Sequence, residues 1–168
     1  MMAQASPKQS LRPYLPADAP LLAEIFRAAV EELTGDDYGA AQQEAWASFA
    51  DDEAVFAHRL AAQLTLVATL AGAPVGFTSL QDNRTIDMLY VHPAVGRQGI
   101  ASMLVGALEK LAAARGSKRM SVDASDTARG FFEKRGYLAQ QRNTLAYGGE
   151  WLANTTMTKD LTSARSAS

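Results

Sequence analysis

The sequence predicts one mixed α/β domain with elements in the order β α α β β β α β α β β. Three observations carry this reading. An amphipathic helical stretch is followed by further helix up to about residue 63. Three strand-like runs then follow one another through tight-turn signals. Finally, "LYVHPAVGRQGIASMLVGALEKL", residues 89 to 111, leaves a strand, passes a glycine-bearing basic turn and becomes a strongly periodic helix. At 168 residues, 48% of them apolar, the chain is long enough to bury a real core.

Each element has a local cause. The small, polar ends, residues 1–9 and 162–168, have the composition of flexible termini and leave a single domain over 10–161. "LRPYL" is a short strand. In "ADAPLLAEIFRAAVEEL", Asp18 is expected as N-cap and Pro20 in the first turn. Leu21, Leu22, Ile25, Phe26, Ala29, Val30 and Leu33 there recur at helical spacing. Residues 40–63 read as helix broken near "ASFADDE", where acidic residues favour a new helix start. "LTLVATL" and "VGFTSL" flank "AGAP", a hairpin turn, and "DNR" leads into "TIDMLYV" as a third antiparallel strand. From Ile100, residues Met103, Leu104, Ala107, Leu108 and Leu111 mark one helix face, with Gly116 at the C-terminal cap. "MSVDA" is expected as a buried strand, "TARGFFEKRG" as a short helix closed by Gly136, and "RNTLAY" with "WLANTTMTK" as a final strand pair.

Composition removes whole classes of function. A net charge of −2 and a pI near 5.7 give no reason to expect nucleic acid or an anionic membrane as partner. With no Cys there is no disulfide, thiolate nucleophile or Cys-based metal site, which suits a reducing compartment. "MMAQASPKQS" lacks the apolar core of a signal peptide, and the longest apolar run is too short to span a bilayer, so a cytoplasmic location is expected. His58 is expected on a helix surface and His92 in the loop before Pro93; with no matching carboxylate spacing they predict no metal site.

The junction at 96–102 is a candidate anion site. A helix that starts after a tight loop exposes unpaired backbone N–H groups and the positive end of its dipole. Gly96 and Gly99 let backbone approach an anion, Ala101 keeps the first turn small, and Arg97 adds charge. The same glycines would equally serve a bare strand-to-helix turn. Neither the mononucleotide nor the dinucleotide glycine signature is present, which excludes those two readings.

"LYVHP" leading into "GRQGIA" resembles the GCN5-related N-acetyltransferase (GNAT) family, whose pattern is [QR]-x-x-G-x-[GA] after a strand commonly ending "LYV". Gly99 and Ala101 match; Gly96 stands where the family usually has Gln or Arg, with Arg97 adjacent. "SDTARGFFEKRGY", residues 125–137, resembles the family's second segment, N-x-x-A-x-x-L-Y-E-K-x-G-F. The likeness runs from Leu11 to Leu161 and is nearest to the bacterial YafP-like branch.

The resemblance implies a mixed, mostly antiparallel sheet of six to seven strands with helices on both faces. The strands matching "TIDMLYV" and "MSVDA" would splay to admit acetyl-CoA. Backbone of Leu89, Tyr90 and Val91 would then pair with the pantetheine, and the segment Gly96, Arg97, Gln98, Gly99, Ile100, Ala101 and Ser102 would hold the pyrophosphate. Ser125 and Phe132 complete the cofactor contacts. Asp87 is the candidate base, with a salt-bridged strand aspartate as its plain alternative. Phe132 stands where many relatives carry Tyr, so the proton donor falls to Tyr90, Tyr137 or Tyr147, the first two of which would equally serve as core or edge aromatics. Tyr38, Trp46, Tyr147 and Trp151 could wall an acceptor site, and Asp36, Asp37 and Glu150 could draw a cationic amine; core aromatics and, for "DDY", a solvated helix end are the plain alternatives. Arg115, Lys118 and Arg119 could touch the 3′-phosphate or form a solvated helix end. The expected function is acetyl-CoA-dependent transfer to a primary amine of a small molecule or peptide, by a monomer or homodimer. A non-catalytic acyl-CoA sensor and a cofactor-free interaction protein are the alternatives.

Overall fold

The computed structural model describes residues 8–161, so the expected flexible segments 1–7 and 162–168 lie outside the described residues. The first strand already begins at Gln9, inside the segment read as a flexible end. Along the chain the elements are β1 (Gln9–Pro13), α1 (Ala19–Leu33), α2 (Ala40–Ala47), α3 (Glu53–Ala62), β2 (Leu64–Leu70), β3 (Ala73–Gln81), β4 (Thr85–Val91), α4 (Ile100–Ala114), β5 (Arg119–Ser125), α5 (Arg129–Lys134), β6 (Leu138–Tyr147) and β7 (Glu150–Asp160). They form one seven-stranded sheet in the order β1-β2-β3-β4-β5-β7-β6. Every neighbouring pair is antiparallel except β4 and β5.

Turn chemistry sets the meander. Ala71 and Gly72 both take positive φ, 51° and 86°, the pair of left-handed residues a tight two-residue hairpin needs. Asp82 and Asn83 do the same after β3, at 53° and 58°. The helical break expected near residue 50 is present: Asp52 caps α3 by accepting the Val55 N–H at 3.1 Å.

Two apolar layers cover the sheet. On one face α4 buries Ile100, Leu104, Val105, Leu108 and Ala112 against Leu80, Ile86, Met120, Val122 and Met157. On the other, α1 and α3 bury Leu22, Ile25, Phe26, Val30, Phe56 and Leu60 against Val67, Phe77 and Met88. Sandwiched between these layers, β2 and β3 are buried on both sides.

The fold corrects several readings. Leu21 and Leu33 face solvent, because the stripe of α1 that meets the sheet is narrower than its apolar spacing. Asp18 stands at the N-cap of α1 as expected, but its carboxylate makes no capping bond to the helix; it turns back to accept the Leu15 N–H at 2.8 Å and to pair with Arg12 at 2.7 and 2.8 Å. "MSVDA" alternates instead of being buried throughout, with Met120, Val122 and Ala124 inward and Asp123 exposed. The α1–α3 layer has no member from β5, so that strand's second face stays open.

Candidate active site

The site begins where the sheet opens. Pairing of β4 with β5 stops after Thr85↔Ser121 and Ile86↔Val122. Across β4 the register with β3 jumps from Ser79↔Met88 to Leu80↔Ile86, so Asp87 is the extra residue of a bulge. A bulge bends its strand and raises the local twist, and here the bend coincides with the parting of the strands. Beyond it, Leu89, Tyr90 and Val91 still pair with β3 on one edge, while the opposite edge faces an opening. The cleft there has a volume of about 380 Å³ and is bounded by β4, β5, β6, β7 and the helical layer.

Beside the wedge lies the strand-to-helix turn. Gly99 is left-handed at φ 79°, and Arg97, a residue with a side chain, is held left-handed at 65°. Such a conformation in a non-glycine residue costs about 1 kcal/mol or more and marks a turn fixed by its surroundings. The first helical bond of α4 is Met103 N–H to the Gly99 carbonyl at 3.0 Å, so the N–H groups of Ile100, Ala101 and Ser102 have no acceptor within the helix. A Cβ built on Gly99 would meet nothing within 4 Å, so that side of the turn is open to an incoming group. Left-handed residues, free N–H groups and an open approach fit a pyrophosphate. Gly76 on β3 keeps this turn close to the wedge. A Cβ there would stand 3.1 Å from the Tyr90 carbonyl and 3.3 Å from side-chain carbons of Ile100 and Val91.

The structure brings Tyr38, Trp46, Asp87, Leu89, Tyr90, Val91, Ser125, Phe132 and Tyr147 to one cleft. Their roles within it differ. Tyr38 bolts elements together: its hydroxyl donates to the Ala153 carbonyl at 2.6 Å and accepts the Asp126 N–H at 2.9 Å. Burial pushes its pKa up. Trp46 Nε1 donates to the Tyr90 hydroxyl at 3.2 Å, and its ring stands edge-on to Tyr38, centroids 5.3 Å apart. Burial also drives the Tyr90 hydroxyl far above its usual range. Ser125 Oγ accepts the Ala128 N–H at 3.1 Å, which shapes the turn into α5. Phe132 is 1% exposed, one of the cleft's apolar walls and stacked edge-on with Tyr137.

Asp87 is in the cleft but strongly engaged. Arg59 on α3 donates to its two carboxylate oxygens at 2.7 and 2.5 Å, and Gln63 adds a third bond at 2.9 Å. This is the salt-bridged strand aspartate that the sequence left open. Arg59, which no motif singled out, lies over the Phe49 ring at 5.0 Å.

Other expectations are corrected. Tyr137 takes the core alternative and leaves the donor set: it is buried, its hydroxyl donates to Glu109 at 2.8 Å, and it does not line the cleft. Trp151 is 64% exposed on β7 and outside the cleft wall, because the strand alternation turns it away. Asp36, Asp37 and Glu150 are likewise outside the wall, and Asp37 accepts from Thr127 Oγ1 at 2.8 Å. His58 is on a helix surface as expected, and His92 Nδ1 accepts the Ala94 N–H at 3.0 Å. Among the described residues no group of acidic or histidine side chains could hold a metal, and no helix is long and apolar enough to cross a membrane. Sequence reasoning missed Arg59, Asp123 and Asn154, all in the cleft wall. Spacing carries no signal for them, since each belongs to a different element.

The same architecture is found in known proteins. A model of the acetyltransferase (GNAT) domain matches residues 34–161. The uncharacterized N-acetyltransferase YafP of Escherichia coli K12 is 35% identical over 144 residues, 86% of this chain and 91% of that protein. A crystal structure from Rhodopseudomonas palustris, described as "GCN5-Related N-acetyltransferase: Aminotransferase, Class-II", superposes with a TM-score of 0.89 at 60% identity, covering 95% of this chain and 99% of that one. The PaiA N-acetyltransferase of Thermoplasma acidophilum in complex with coenzyme A shares the fold, with a TM-score of 0.76 at 17% identity over 91% of this chain and 99% of that one. A parted β4/β5 pair, a left-handed turn opening α4 and these likenesses lead to one conclusion: the chain belongs to the GNAT acetyltransferase family.

Proposed function

We propose that the protein transfers the acetyl group of acetyl-CoA directly to a primary amine of a small molecule or peptide. The observation that carries this reading is the wedge between β4 and β5, whose unpaired backbone edge adjoins the open N-terminus of α4. Bound acetyl-CoA supplies an activated thioester. The free edge at Leu89, Tyr90 and Val91 holds amide groups as an added strand would, and the N–H groups of the turn from Gly96 to Ser102 hold the pyrophosphate. Ser125 and Phe132 border the same cofactor from α5 and the strand before it. A backbone N–H on the parted strand stabilises the oxyanion that forms at the reacting carbonyl.

The rest of the cleft serves the acceptor. Tyr38, Trp46 and Tyr147 line an aromatic wall, and Asp87, held by Arg59, presents negative charge to an ammonium. Tyr147 is half-buried, and burial raises its pKa, so it keeps its proton at neutral pH and serves as the donor near the leaving sulfur.

The alternative sensor function is supported by Phe132, which has no proton to give. Thermal melting with and without acetyl-CoA, followed by thiol release with a panel of primary amines, separates the two. A stabilising shift with turnover is expected. No shift would remove the acetyl-CoA reading, and a shift with no turnover across amines of every class would favour the sensor.

A further inference from the structure

This inference rests on the acetyl-transfer reading and assigns its proton acceptor. Two carboxylates flank the point where the strands part. Asp87 and Asp123 are the first residues beyond the last β4–β5 pairs, Thr85↔Ser121 and Ile86↔Val122, and both line the cleft. Their surroundings differ. A carboxylate offers about four lone-pair sites; Asp87 uses three of them on Arg59 and Gln63. Asp123 uses one. Its Oδ1 accepts from Thr156 Oγ1 at 2.6 Å, and its Oδ2 has no partner among the described residues.

A relay orients this carboxylate. Asn143 Nδ2 donates to Thr156 Oγ1 at 2.8 Å and to Asn154 Oδ1 at 2.9 Å. With that donation filling its acceptor side, the Thr156 hydroxyl directs its own proton to Asp123. The order is base, orienting hydroxyl, second orienting amide, the arrangement by which enzymes hold an acid–base group in one pose. The other charged or titratable groups in this cleft are Asp87, Arg59, Tyr38, Tyr90 and Tyr147. Arg59 is already committed to Asp87, so Asp123 lacks a cationic partner to compete with a substrate.

We propose that Asp123 is the catalytic base, that Thr156 is its positioning residue, and that Asp87 is an anchored anion that draws the ammonium in. Oδ2 of Asp123 takes one proton from the ammonium. The freed nitrogen lone pair forms the N–C bond as the C–S bond breaks. The departing sulfur takes the bonding pair and the proton of Tyr147, which recovers the second proton from nitrogen, and Asp123 then releases its proton to solvent.

The test uses the full chain with acetyl-CoA as donor and water as the acceptor, so that it does not wait on the natural amine. Wild type is expected to release thiol faster than buffer, with an acid limb in kcat/KM. Asp123→Asn should lower the rate about 10²-fold and abolish the limb. Thr156→Val should move its midpoint with little change in KM, and Asp87→Asn should keep the limb. Calorimetry with CoA separates the failures. Wild type that binds no CoA overturns the acetyl-transfer reading. A CoA-binding Asp123→Asn with unchanged rate and limb overturns the base assignment alone, as does wild-type thiol release no faster than buffer or a limb that is lost in Asp87→Asn.

Discussion

At the scale of the residue, the sharpest consequence lies at Gly99. Its φ of 79° and the open space beside it mean that a substitution strains the backbone by about 1 kcal/mol. Gly99→Ala should therefore lower stability slightly and weaken CoA binding modestly. Gly99→Glu adds the same strain but aims a carboxylate at the pyrophosphate, and calorimetry should find binding lost while circular dichroism stays native. Micromolar affinity in the folded Glu variant would remove the phosphate-turn assignment. Phe132 makes a second case. It is almost fully buried among Phe131, Tyr137 and the cleft wall, so Phe132→Ala should cost about 3–5 kcal/mol and loosen the cofactor. Phe132→Tyr should change turnover by less than about 10-fold, because a CoA thiolate leaves with limited help while a protonated amine cannot attack at all. A hundredfold rise in kcat would show that the native site lacks an acid.

Among elements, the contact that matters is α4 against the β3–β4 pair. Gly76 is the thin point of that packing, and a side chain there meets the Tyr90 carbonyl and the Ile100 side chain at close range. Gly76→Val should lower stability by about 1–3 kcal/mol through overpacking. It should also weaken CoA binding, because relief requires the start of α4 to move away from the wedge. Urea unfolding and calorimetry on the same variant check both effects; a destabilised protein with native CoA affinity would uncouple the glycine from the site. The bulge at Asp87 belongs to this scale as well. One extra residue in β4 reverses which side chains meet each apolar layer, so that Ile86 and Met88, two apart, pack on opposite faces.

Over the whole molecule, charge pairs tie distant elements together and set the response to acid. Arg12 hydrogen-bonds Asp18 and holds its carboxyl below the usual range, and Arg142 does the same for Asp126. Burial alone would raise Glu109, yet hydrogen bonds from Tyr137 and Arg135, with the charge of Arg135 and a bond from Lys159, hold it low. A carboxyl depressed in the folded state stabilises above its unfolded pKa, and that stability is lost as pH falls through the folded value. The melting temperature should therefore be flat above about pH 5 and fall as pH drops below about 4. Glu109→Gln, which removes the charge shared by α4, β7 and the end of α5, should lower the plateau and make the acid decline shallower. A decline of wild-type slope in that variant would show that Glu109 takes no part.

Local physics decided much of this protein from the sequence alone. Helix periodicity, the acidic break near residue 52 and glycine-bearing turns are written within a few neighbouring residues, so element order and the tight turn opening α4 were legible. So was the family, because Gly99, Ala101 and the 125–137 segment are short-range patterns. The surroundings of the cleft carboxylates were not. Asp87 and Asp123 are similar strand aspartates in the sequence, and what separates them is a guanidinium from α3 on one and a threonine relay from β7 and β6 on the other. The place of Trp151 was open for the same reason: strand alternation specifies that a side chain changes face at each step, but only packing specifies which face is covered. Contacts between elements far apart in the chain depend on register and on the splay of the sheet, and these exist only once the tertiary structure has formed.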